Sequence, residues 1–178
     1  MDTGAAFLAQ SREYLTAHYL PKILVAVAQL SDQDLWSRPN EASNSVGNLM
    51  LHLSGNVRQW IVSGVGGAPD HRERAREFSQ RDPLPRAELI ALLTRAVHDA
   101  DQVLAAVSRA DLGERRMIQG REVTVFEAIY HVVEHFSTHV GQILMIAKQR
   151  SGKDLGLYRT QDGVVRPAWP GHPTSGSA

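Results

Sequence analysis

The sequence predicts an all-α protein: an antiparallel four-helix bundle with longer crossover connections and an irregular C-terminal tail. Three observations carry this expectation. Four long stretches of the 178 residues repeat apolar side chains at the 3.6-residue period of a helix, Gly, Pro and polar runs separate them, and no stretch shows the two-residue period of a sheet. Helices that are hydrophobic along one stripe must bury that stripe against each other, and a bundle is how four of them do so.

The first stretch runs from about Ala5 to Leu30, with Phe7, Leu8, Leu15, Ile23, Val27 and Leu30 on its apolar face. Pro21 lies inside it and is expected to kink or split it, since proline lacks an amide donor and crowds the preceding turn. In the connection SDQDLWSRPNEAS, Ser31 to Asp34 are suited to cap a short helical turn. The second stretch is expected to start at Ser43 or Asn44, both good caps, and to end near Ser63. Gly47 and Gly55 weaken it by up to ~1 kcal/mol each relative to alanine, which signals a close helix approach or room for a bound group. The charged run DHRERAREFSQRDPLP that follows reads as a loop or short exposed helix, with Arg72 to Arg76 a solvated surface.

The third stretch begins at Pro85, a residue suited to a first helical turn, and carries its stripe from Leu89 through Leu93, Val97 and Leu104 to about Val107. The short segment Arg116 to Val123 reads as extended. The fourth stretch opens on a T-x-x-E capping box, Thr124 and Glu127, and reaches about Arg150, with Gly152 as its stop. At ~1.5 Å per residue it is roughly 40 Å long. The bundle domain is therefore expected over residues 1–158, and the Gly-, Pro- and Ser-rich residues 159–178 as an irregular or disordered tail anchored by Trp169.

Composition narrows the function. Apolar residues make up 43% of the chain, and 19 basic residues balance 19 acidic ones, which argues against a broad phosphate-neutralising surface for nucleic acid. No apolar run approaches the roughly 18 residues that span a membrane, and the N-terminus lacks the pattern of a secretory leader, so a soluble cytoplasmic protein is expected. There is no cysteine. Disulfides, thiolate metal ligands and a cysteine nucleophile are excluded, and any thiol chemistry needs a thiol from outside.

The chemistry concentrates in histidines. His131, His135 and His139 in HVVEHFSTHVGQI recur every four residues, along one stripe of the fourth helix, and His52 lies in the apolar segment NLMLHLSGNVRQW of the second. Imidazoles facing a core are costly unless coordinated or hydrogen-bonded, so a metal held between two helices is the economical explanation. Spacing alone leaves open whether His131/His135 or His135/His139 is the ligating pair. HVVEH also matches the H-x-x-E-H signature of inverted zinc peptidases, with Glu134 as the base, but a bundle of this size lacks those enzymes' context. Asn48 and Asn56 flank His52 by one turn on each side and are candidates to donate hydrogen bonds into the pocket, while Glu134 is a candidate to orient a histidine. His18, His71, His98 and His172 are assigned no role.

NSVGNLMLHLSGNVRQW followed far downstream by HVVEHFSTHVGQI resembles the DinB-like superfamily of small four-helix-bundle metalloproteins, within it a branch of unknown function. RPNEASNS, the R-x-x-EF element at Arg74 to Phe78 and IAKQRSGKDL also fit that branch, and the resemblance covers roughly residues 7–158. It implies His52, His135 and His139 as metal ligands, with Gly141 and Gln142 matching the end of the motif and His131 a pocket or supporting residue. It also implies a divalent metal, zinc or nickel, a homodimer formed by helix packing, and kinship with thiol-dependent transferases and isomerases that activate a low-molecular-weight thiol at the metal.

The functional expectation is a metal-dependent enzyme of the thiol S-transferase type acting on a small-molecule electrophile, with no catalytic residue assigned. The alternatives are a non-catalytic metal- or small-ligand-binding stress-response protein and a metal-dependent hydrolase. Hydrolysis wants a carboxylate base beside the metal. Glu134, the one carboxylate near in sequence, is angled ~60° from His131 and ~100° from His135 on a helix of 100° per residue.

Overall fold

The computed structural model describes residues 2–171 and is a helical bundle. Its first arm is α1 (Thr3–Glu13), a π-helical stretch Tyr14–Tyr19 and α2 (Leu20–Ala28), with Asp2 capping the start through bonds from the Gly4 and Ala5 amides. Pro21 does not split this arm, because it falls in the first turn of α2, directly after the backbone has widened to π-helical bonding. Its missing N–H would have served the carbonyl of Ala17 in an α-helix, and the Trp169 indole donates to that carbonyl instead at 2.8 Å. The C-terminal segment thus supplies a donor that the proline removed.

Ser31 caps the short helix α3 (Asp32–Trp36), as its sequence predicts. The second arm is α4 (Val46–Val57) continued by a π-helical stretch Arg58–Val65. Its cap is Ser45, not Ser43 or Asn44: Ser45 Oγ accepts from the Asn48 amide while Asn48 Oδ1 accepts from the Ser45 amide, a buried and reciprocal capping box. Gly47 answers the expectation of close approach, since a Cβ there would stand 2.8 Å from the Trp36 ring. The charged run beyond holds α5 (Arg74–Ser79).

Pro85 caps the third arm, α6 (Arg86–Ala106). The segment read as extended forms an antiparallel hairpin, β1 (Arg115–Ile118) with β2 (Arg121–Thr124), turning at Gln119 and Gly120 with positive φ. The Thr124/Glu127 box then starts α7 (Val125–Ser151), which Gly152 ends at φ 66°. The tail is not irregular throughout: β3 (Tyr158–Gln161) and β4 (Val164–Pro167) make a second hairpin around Asp162 and Gly163. Residues 172–178 of the expected tail, His172 included, lie outside the described residues.

Ile23, Leu35, Met50, Leu53, Ile61, Leu93, Ile129, Phe136 and Ile143 are fully buried and draw on every arm, so one core holds the bundle. Among the described residues no helix is long and apolar enough to cross a membrane. The consequence for the site is positional. His52 faces His135 while Asn56, one turn later, faces His131, one turn earlier, so α4 and α7 run antiparallel with their polar stripes in register.

Candidate metal centre

Three imidazoles converge between α4 and α7. His52, His135 and His139 each offer a ring nitrogen, and these nitrogens all lie within 4.8 Å of one another. The fourth, His131, stacks beside His135 with ring centroids 5.3 Å apart and stands outside the group. His52 is buried, and His135 and His139 are partly open at the surface of the bundle.

Two of the three rings are held from behind. His52 Nδ1 donates to Glu77 Oε2 at 2.8 Å, and because a carboxylate can only accept, the proton is on Nδ1 and the lone pair on Nε2 faces the cluster. His139 Nδ1 donates to Gln142 Oε1 at 2.7 Å, leaving its Nε2 for the cluster. An imidazole fixed through its far nitrogen by a carboxylate or amide is how metal-binding histidines are oriented. Phe78 packs against His52, with centroids 4.6 Å apart, and closes its flank.

Glu77 is a residue that sequence reasoning missed. It is 8% exposed, and its carboxylate also receives Arg72 Nε at 2.7 Å and Arg72 Nη2 at 2.9 Å, a bidentate pair. The Arg72 side chain is only 4% exposed, so the run expected to be solvated surface turns its first arginine inward, because the buried carboxylate needs a counter-charge. Gly55 makes this possible: a Cβ there would overlap Glu77 Oε1 and stand 3.0 Å from Arg72 Nε. The R-x-x-EF element and the glycine three residues after His52 were the available signals, and they pointed to packing only once the fold placed them together.

Asn48 serves this support and not the pocket. Besides its capping role, its Nδ2 donates to the backbone carbonyls of Glu77 and Gln80, at 2.9 and 3.2 Å, tying α5 against α4. Glu134 is exposed and accepts from Thr138 Oγ1 at 3.3 Å; the carboxylate that orients a histidine is Glu77. Asn56 does reach inward, with Nδ2 3.4 Å from His131 Nε2, and Trp60 packs on the same ring at 4.2 Å between centroids.

Electrostatics favour neutral, ligating imidazoles. Burial, then the proximity of His139, His52, His131 and Arg72, pushes His135 down to about 3. Burial likewise lowers His131 and His139. For Glu77, burial is the largest single influence and acts upward, but the hydrogen bonds and charges of Arg72 and His52 together outweigh it and hold the carboxyl below its ordinary value.

A divalent metal fits this donor set. His52 Nε2 and His135 Nε2 stand 2.8 Å apart, and tetrahedral nitrogens about 2.0–2.1 Å from zinc are separated by about 3.4 Å, so a small rotation of either ring makes room. Three neutral nitrogens with no thiolate or carboxylate among them suit zinc, nickel, cobalt or iron. Three protein ligands leave positions open to water or substrate, the pattern of a catalytic site and not of a closed structural one.

No curated protein matches the chain. The crystal structure of a DinB-like protein from Bacillus cereus ATCC 10987 is similar with a TM-score of 0.62, covering 83% of this chain and 93% of that one at 18% identity, which shows a shared fold. The family described as "Protein of unknown function (DUF1572)" matches residues 2–159, a span that takes in all four arms and the three clustered histidines, and the chain belongs to that family.

Proposed function

We propose that the protein binds a divalent metal ion, zinc or nickel, through His52, His135 and His139, and uses it in a thiol-dependent transfer to a small electrophile. The observation that carries the metal site is the convergence of three ring nitrogens within 4.8 Å, with His52 held by Glu77 and His139 by Gln142. A bound dication lowers the pKa of a coordinated thiol or water, so that a nucleophile exists near neutral pH. The residues supply rigidity, a neutral donor set, and two rings, His135 and His139, that are only partly buried.

The absence of cysteine requires the thiol to come from outside, and the resemblance to thiol-using relatives supports that reaction class. Hydrolysis is the weaker reading. Glu77 is committed to Arg72 and His52, and Glu134 is exposed and bonded to Thr138, so neither is free beside the cluster to act as a base. A homodimer through helix packing is consistent with Phe126, Tyr130 and Met145, which lie exposed along α7.

Metal analysis of protein purified without an affinity tag tests the site. Stoichiometric metal is expected in the parent, and at least about a tenfold loss of affinity in His52→Ala and His135→Ala, as supporting interactions alone carry that much. Metal-loaded protein is then assayed with several thiols and chlorodinitrobenzene, where attack forms the carbon–sulfur bond and releases chloride. A rate above background that disappears in His135→Ala supports transfer. Metal binding without any rate identifies a metal-binding protein and overturns the enzymatic part.

A further inference from the structure

We propose that Asn56, Trp60 and His131 form a recognition subsite for a neutral ligand group carrying a hydrogen-bond acceptor beside a donor, a carboxamide, one helical turn from the clustered histidines. Among the described residues, two buried side-chain polar atoms have no hydrogen-bond partner: Asn56 Oδ1 and Trp60 Nε1. Both side chains are 3% exposed, and both press on the His131 ring.

Buried polar groups in native proteins are paired, because an orphan gives up its bond to water and gains nothing in return. The other buried polar side chains among the described residues obey this rule. Ser11, Ser45, Asn48, His52, Ser54 and Glu77, the other buried polar residues, are all hydrogen-bonded. The indoles of Trp36 and Trp169 donate to the carbonyls of Leu84 and Ala17. Two exceptions falling on one ring, beside the candidate metal centre, mark a place completed by something other than the chain.

The two orphans differ in sense. Trp60 Nε1–H can only donate and so asks for an oxygen; Asn56 Oδ1 can only accept and so asks for an N–H or O–H. Neither carries a charge, which favours a neutral group over a carboxylate. Asn56 and Trp60 follow His52 at four and eight residues, and His131 precedes His135 by four, about 6 Å along the helix axis. A small molecule with one atom at the metal and a carboxamide roughly that far away spans both; this spanning role, unlike the subsite itself, rests on the metal reading.

The test is an indole NMR titration of ¹⁵N-labelled protein, metal-free and metal-loaded, with acetamide and with acetate at tens of millimolar, the range open to a four-atom fragment. Trp60→Phe assigns the Trp60 resonance, and the Trp36 and Trp169 indoles, already bonded, are internal controls. Acetamide is expected to shift the Trp60 indole and leave the other two in place, in both metal states, with acetate at least about fivefold weaker. Asn56→Leu is expected to weaken acetamide about fivefold to tenfold; if that variant does not fold, the parent titration decides alone. An unmoved Trp60 resonance, acetate bound as well as acetamide, or a long-lived water at the indole that acetamide fails to displace overturns the subsite. Because the metal-free arm needs no ion, failure of the subsite and failure of the metal centre are read separately.

Discussion

The two ends of the histidine stripe on α7 are built on opposite plans. At one end the imidazoles have their far nitrogens tied down, His139 by Gln142 and the facing His52 by Glu77, itself locked by Arg72. At the other, His131 meets an asparagine with one idle arm and a tryptophan with an idle N–H. The tied end is over-determined, as suits ligands that must hold one geometry. The idle end is polar, buried and incompletely bonded within the chain, as suits an exchangeable occupant. The comparison teaches that burial alone does not reveal a role, because Asn48 and Asn56 are equally buried on one helix yet the first is fully bonded and the second half so.

The sharpest way to break the tied end is Glu77→Ala. It strips His52 of its orienting partner and leaves the Arg72 guanidinium buried without a counter-charge, which costs roughly 3–5 kcal/mol. A large fall in the urea midpoint is expected, with metal affinity reduced about 10- to 100-fold; an unchanged midpoint refutes the buried pair. Gly55→Ala comes next. An alanine inside a helix normally stabilises by up to about 1 kcal/mol, but here its methyl displaces Glu77, so a loss of about 1–3 kcal/mol is expected by thermal melting. Any gain in stability means Glu77 is not held where it is described.

Gln142→Leu removes the weaker of the two ties, since Gln142 lies at the exposed edge of the centre. About a tenfold loss of metal affinity by competition titration is expected, at the low end for such partners. The smallest effect sharpens the comparison from its other side. Asn56→Leu alters the idle end and is expected to leave metal affinity within about twofold, since it touches His131 and none of the three clustered rings. A larger drop would mean the two ends act as one site.

Much of this was legible beforehand. The capping boxes and stops of α7, the Pro85 start of α6 and the Ser31 cap follow from short-range chemistry, and the four-residue histidine spacing already placed the stripe. The first hairpin was read only as an extended segment, and the second was not read at all, although Asp162-Gly163 is the dipeptide that favours a two-residue turn, because its strands are short, exposed and without apolar alternation. The cap of α4 was displaced by one or two residues for a related reason: Ser43, Asn44 and Ser45 are all good caps, and only the reciprocal bond with Asn48 distinguishes the third.

By itself the sequence determined the helices, their apolar faces and the supply of imidazoles, because helix periodicity and capping act over a few residues and need no knowledge of the rest of the chain. Tertiary structure alone decided that Glu77 lies behind His52, that Arg72 turns inward to meet it, that Trp169 serves the carbonyl Pro21 left open, and that Asn56 and Trp60 close on His131 without partners. Those contacts join groups 25, 5, 152 and up to 75 residues apart. Even at five residues, charged side chains on a surface helix would have stayed in water; it is the shared core, by excluding water, that forces each buried polar atom to find its partner.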